Sequence, residues 1–173
     1  MYRGYKDLLS AFQSHGVKYL VVGGFAVIYH SQPRFTKYMD LFIEADPENA
    51  KATHAALAGF GAPLHGIRPE DFTDRNSFFR FGREPKGFDI LPSIPGVDFD
   101  AAWERRVEAV VDTVTGLKAN FISAEGPIAS KLASGRPRDL ADVDDIRKSA
   151  ESQERRPAKE KPPEPSPKSG PNR

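Results

Sequence analysis

"KYLVVGGFAVIYHSQPRFTKYMDLFIEAD", residues 18–46, holds the pattern on which the reading of this chain turns. "KYLVV" is an unbroken apolar run, as expected of a central strand covered on both faces. The diglycine Gly23-Gly24 then marks a tight turn into a short helix, because a backbone without Cβ atoms can bend sharply and let a ligand lie against its N–H groups. The start of such a helix offers free N–H donors and a positive dipole end, both suited to phosphate. A bland tight turn would show the same residues. Residues 39–44 read as the next strand, with Met39, Leu41 and Ile43 on one face and Tyr38, Asp40, Phe42 and Glu44 on the other.

An acid at position 38 would share the face of Asp40, roughly 6 to 7 Å along the strand. Two carboxylates so placed can converge on hard cations such as Mg²⁺. The residue there is Tyr38, and a phenol stays protonated near neutral pH. Asp40 alone also fits a surface acid on an edge strand.

Working outward, "YKDLLSAFQSHG" sets Tyr5, Leu8, Leu9 and Phe12 at helical spacing, with Gly16 suited to a left-handed stop. "DPENAKATHAALAGFG" opens a helix on Asp46 as N-cap with Pro47 in its first turn. Residues 62–76 read as loop. "SFFRFG" and "GFDILP" read as strands joined by "GREPKG", and "FDAAWERRV" as a short helix. "VEAVVDTVTGLKANFIS" reads as a hairpin turning at Thr115-Gly116. "EGPIASKLASG" and "RDLADVDDIRKSA" read as two closing helices. The order predicts an α/β (α+β) fold, a mixed sheet flanked by helices.

Two later stretches carry chemistry. Asp89 lies among Phe88, Ile90 and Leu91, where a carboxylate costs several kcal/mol unless paired, hydrogen-bonded or metal-bound. In "KLASGRPRDLADVDDI", Lys131, Arg136 and Arg138 are candidates to meet a triphosphate, with Asp139 and Asp142 to orient them. Helix-terminal charge, with Asp139 as a cap, is the plainer alternative. Histidines 15, 30, 54 and 65 show no metal-ligand spacing, and no nucleophile motif surrounds a serine.

Composition bounds the rest. With 173 residues the chain is one domain plus a tail. There is no cysteine, which excludes disulfides and thiolate zinc sites. A net charge of +1 gives no global field that would favour nucleic acid. No apolar run reaches a membrane span and the N-terminus is no signal peptide, so the expected compartment is the cytoplasm. The domain is expected over residues 1–150. Residues 151–173 hold 6 of the 15 prolines and one hydrophobic residue, Ala158, so they are expected to be a disordered tail.

Taken together, Val22-Gly23-Gly24, the strand with Asp40, "FDILPSI" with Asp89, and "SKLASGRPRDLADV" resemble the nucleotidyltransferase superfamily, the DNA polymerase β-like fold. Small bacterial members akin to the AbiEii-type toxins and minimal nucleotidyltransferases are the nearest in pattern. "RFTK" looks like the Arg-x-Thr approach to the family's acidic strand, which brings in Arg34 and Thr36. The resemblance spans roughly residues 5–148. It implies metal-dependent transfer of a nucleoside monophosphate from an NTP to the hydroxyl of a protein, an RNA or a small molecule. Asp40 and Asp89 would be the catalytic, Mg²⁺- or Mn²⁺-holding acids. Gly23, Gly24, Arg34, Thr36, Lys131 and Arg138 would bind the nucleotide. Tyr38 stands where the family's first acid belongs, which implies impaired transfer. The alternative is a catalytically inactive nucleotide- or protein-binding module, with an antitoxin or other protein as partner.

Overall fold

The computed structural model describes residues 1–31, 36, 38–83 and 86–154, and of residues 137, 138, 153 and 154 the backbone alone. Helix α1 (Arg3–Ser14) buries Tyr5, Leu8, Leu9 and Phe12, the four positions of its apolar face. Burying a side chain such as Phe12 contributes roughly 1.5–3 kcal/mol. Strand β1 (Tyr19–Val22) is buried along its whole length and runs straight into α2 (Gly23–His30). Strand β2 (Tyr38–Ile43) starts and ends one residue earlier than its apolar pattern suggests. Asp46 caps α3 (Pro47–Phe60) by accepting hydrogen bonds from the Glu48 and Asn49 amides, and Gly61 closes it in the left-handed conformation.

Strands β3 (Phe79–Phe81) and β4 (Gly87–Leu91) follow, then α4 (Phe99–Glu104), capped by Asp98. The hairpin β5 (Val107–Asp112) and β6 (Leu117–Phe121) leads into α5 (Glu125–Ser134) and α6 (Pro137–Glu154). The segment read as loop at 62–76 contains a 3₁₀ turn, Pro69–Thr73, which buries Phe72 against His54 and Phe79. Helix α6 continues through Glu151, Ser152, Gln153 and Glu154, the first residues of the stretch expected to be disordered. Those residues carry no helix breaker before Pro157. The tail beyond Glu154 lies outside the described residues, as does Arg34.

The sheet is six-stranded and mixed, in the order β3-β4-β2-β1-β6-β5. Its pairs β1/β2, β3/β4 and β5/β6 are antiparallel, while β2/β4 and β1/β6 are parallel. One face carries the larger core, where Met39, Leu41, Ile43, Phe81, Phe88 and Ile90 meet α1 and α3. The other face carries a smaller core of Leu20, Val22, Phe42, Phe99 and Ile122. The buried Asn49 side chain closes one end of the β1/β2 pair: its amide donates to the carbonyls of Lys18 and Glu44, and its oxygen accepts from the Lys18 amide. Among the described residues, no helix is long and apolar enough to cross a membrane.

Candidate functional site

The smaller core stops partway along the sheet, and the strand registers show where. Leu20, Phe42 and Leu91 form one row across β1, β2 and β4, and Phe42 packs edge-on to Phe99. The next row is Val22, Asp40, Asp89 and Arg80, across β1, β2, β4 and β3. Beyond it come Tyr38 and Gly87. Asp40 and Asp89 thus stand side by side on neighbouring parallel strands, about 4.8 Å apart at the backbone. Alternation explains the facing, because the residues flanking each acid point into the larger core.

The diglycine turn lies directly on Asp40. Gly23 has φ +60, and a Cβ there would overlap the Asp40 carboxylate. The Gly24 amide also lies towards that carboxylate and favours its charged form. The turn is therefore first a seat for Asp40. Burial pushes the Asp40 carboxyl up to about 6, Asp89 adds to the rise, and Arg80, the Gly24 amide and Lys131 oppose it.

Asp89 is almost fully buried and has a partner on the adjacent strand. Arg80 Nε donates to one of its carboxylate oxygens at 2.9 Å and Nη2 to the other at 2.7 Å. The guanidinium also lies over the Tyr38 ring, 4.4 Å from its centroid. Sequence reasoning did not single out Arg80. The signal was present, since a hairpin closing symmetrically about Glu84-Pro85 pairs residue 80 with residue 89.

A cleft of about 230 Å³ opens beside Asp40, walled by Gly23, Ser130, Lys131, Arg136 and Asp139 among others. Of the expected site residues, Gly23, Asp40 and Lys131 line it. Asp89 is not one of its walls, and neither are Gly24 and Thr36. The Thr36 hydroxyl donates to the Tyr38 carbonyl at 3.3 Å and rests against Gly24. Lys131 Nζ donates to Asp139, at 3.3 Å, and to Asp142; Arg136 Nε donates to the second oxygen of Asp139 at 2.7 Å. These bases already carry counter-ions, so the plainer reading of that segment accounts for their contacts. The Arg138 side chain lies outside the described residues.

The donors do not fit a pair of divalent ions. Both oxygens of Asp89 are taken by Arg80, Tyr38 adds no anion, and Asp40 is left alone beside the Gly24 amide. Among the described residues no group of three or more acids and histidines could hold a metal. Compared with models of protein families and with curated proteins, the chain matches none.

Proposed function

We propose that this chain is a nucleotidyltransferase-type protein that has kept a nucleotide cleft and lost most of its transfer rate. The observation that supports the type is the pairing of Asp40 with Asp89 on adjacent parallel strands, with a strand–diglycine–helix turn laid against Asp40. A nucleoside triphosphate would enter beside Gly23, Asp40 and Lys131. The cleft is smaller than the roughly 300–1,000 Å³ of ordinary small-molecule sites, so it suits the phosphate end, with the base outside. Lys131 and Arg136 would meet the phosphates by giving up part of their hold on Asp139 and Asp142, and the Gly23 amide would donate to them.

Transfer of a nucleoside monophosphate to an acceptor hydroxyl, with release of pyrophosphate, is the chemistry expected of the type. Members of such a site act as a unit, so losing one costs orders of magnitude in rate. The bidentate Arg80–Asp89 pair favours the binding form of the proposal: a module that takes up nucleotide, or a protein partner of antitoxin kind, without appreciable transfer.

The test is label transfer from the four α-labelled NTPs into a cell extract, with equilibrium NTP binding measured beside it. The unmodified chain is expected to bind an NTP and to transfer little label. Fast transfer that disappears in Asp40→Ala would overturn the loss of activity. Failure to bind any of the four would overturn the nucleotide reading.

A further inference from the structure

Tyr38, Arg80, Asp89 and Gly87 form a unit in which each part makes room for the next. Arg80 faces Asp89 across the β3/β4 pair, while Phe79 and Phe81 turn to the other side. Its two parallel hydrogen bonds use both carboxylate oxygens, the geometry in which arginine and carboxylate bind most strongly. The Tyr38 ring lies over Gly87, where any Cβ would overlap it, and under the Arg80 guanidinium. Tyr5, from α1, donates to the Gly87 carbonyl at 3.0 Å and holds that backbone in place. A missing side chain at 87, a ring at 38 and a planar cation at 80 therefore match one another on three strands.

This arrangement has a consequence for ions. A divalent cation at Asp89 would have to displace a doubly hydrogen-bonded guanidinium, or sit within a few ångströms of its positive charge. An ammonium would be a weaker obstacle, because it lacks the planar fork that covers both oxygens. Arg80 remains about half exposed, with a side-chain accessibility of 51%, and Nη1 has no partner among the described residues. Arg80 is not one of the cleft walls, but that edge is open to an anion reaching past Asp40 towards Asp89, and guanidinium suits phosphate well.

We infer that Arg80 is a resident cation of the acid cluster, which keeps divalent metal off Asp40 and Asp89 and offers its free edge to the phosphate chain, so that nucleotide binds without Mg²⁺. The phosphate half rests on the nucleotide reading above; the exclusion of metal does not. Restoring an acid at 38 is then not enough to restore a metal site, since Arg80 would pair with it.

Two measurements on the full chain separate these halves. Mn²⁺ titration, followed by electron paramagnetic resonance, is expected to find no site tighter than about 1 mM in the unmodified chain or in Tyr38→Asp. The Tyr38→Asp/Arg80→Gln variant is expected to bind Mn²⁺ at least about tenfold more tightly. A Mn²⁺ site already present in the unmodified chain and lost in Asp40→Asn overturns the exclusion of metal. ATP affinity is then compared in Mg²⁺ and in EDTA. Agreement within about threefold is expected, and a tightening of about tenfold or more by Mg²⁺ overturns the phosphate half. Because Arg80→Gln alone strands a buried carboxylate, Arg80→Gln/Asp89→Asn removes the pair as a unit. It should weaken ATP in EDTA by about tenfold, and unchanged affinity overturns the role of Arg80. No ATP binding in either buffer overturns the nucleotide reading and the phosphate half together, while the Mn²⁺ titration still decides the other half.

Discussion

A carboxylate held between a diglycine turn and a second acid is uncomfortable when ionised, and Asp40 shows it. Burial, then the charge of Asp89, raise its carboxyl to about 6, against an ordinary value of 3.8. The folded state therefore prefers Asp40 protonated, more than the unfolded chain does. Below about pH 4 both states hold the proton and nothing is lost; above about pH 6 the full penalty applies. A shift of this size corresponds to at most about 3 kcal/mol, reduced by relaxation and by water. Asp40→Asn keeps an oxygen towards the Gly24 amide and removes the charge. It is expected to raise the melting temperature at pH 7.5 by several degrees, with the gain fading as the pH falls to 4. Melting curves at the two pH values check this, and a variant less stable at pH 7.5 would show that ionised Asp40 is paired better than its surroundings indicate. At this scale the sequence was partly readable. Asp40 and Tyr38 could be placed on one face by alternation alone. The neighbourhood of Asp40 with Asp89 could not, because a parallel pair separated by 49 positions leaves no local trace of its register.

Helices α5 and α6 are joined by a cluster of ion pairs. Lys131, with a side-chain accessibility of 15%, projects from α5 between Asp139 and Asp142 of α6, and Arg136 in the connecting turn holds Asp139 from outside. Burial works against the ionised Asp139, but hydrogen bonds from Arg136 and Lys131 outweigh it and hold the carboxyl below the usual range. A depressed acid stabilises the fold above its unfolded value, and that contribution is lost as pH falls through the folded one. The α5–α6 joint should thus loosen under acid conditions, below about pH 4. Lys131→Met removes the cation that Asp139 and Asp142 share, while Arg136 stays on Asp139, and is expected to cost up to about 3 kcal/mol. Lys131→Met/Asp139→Asn/Asp142→Asn removes the whole set and should recover most of that loss. Urea unfolding of both variants checks the pair, and equal stability of the two would mean that the ions contribute nothing at this joint. The sequence made these helices legible as two stretches set apart by Gly135, Arg136 and Pro137. Which acids meet Lys131 depended on how α6 folds back on α5, and the residue types allowed a phosphate site equally well.

Across the whole molecule, the sheet order puts the chemistry between the central strand β2 and the edge strand β3, on the face that the smaller core leaves bare. Local signals sufficed for most elements: Asp46 and Gly61 bound α3, Gly16 and Gly135 stop helices in the left-handed conformation, and Gly116 sits in the β5–β6 turn. Phe72 escaped notice because a lone aromatic in a charged loop has no period, although it is fully buried. The same reasoning gives an expectation for the C-terminal end of the chain. Along α6 the last described side chains to be buried are Val143 and Ile146, two turns before Glu154. Residues 155–173 carry 6 Lys/Arg, 2 Glu, 6 Pro and one hydrophobic residue. On composition alone they are expected to add no apolar core. A chain ending at Glu154 is therefore expected to melt within about 1 °C of the full chain and to bind ATP equally well. A truncation at Arg147, which removes two turns of α6 beyond its last anchor, should cost little more. A loss of several degrees on removing residues 155–173 alone would mean that the basic tail packs on the body and belongs to the folded unit.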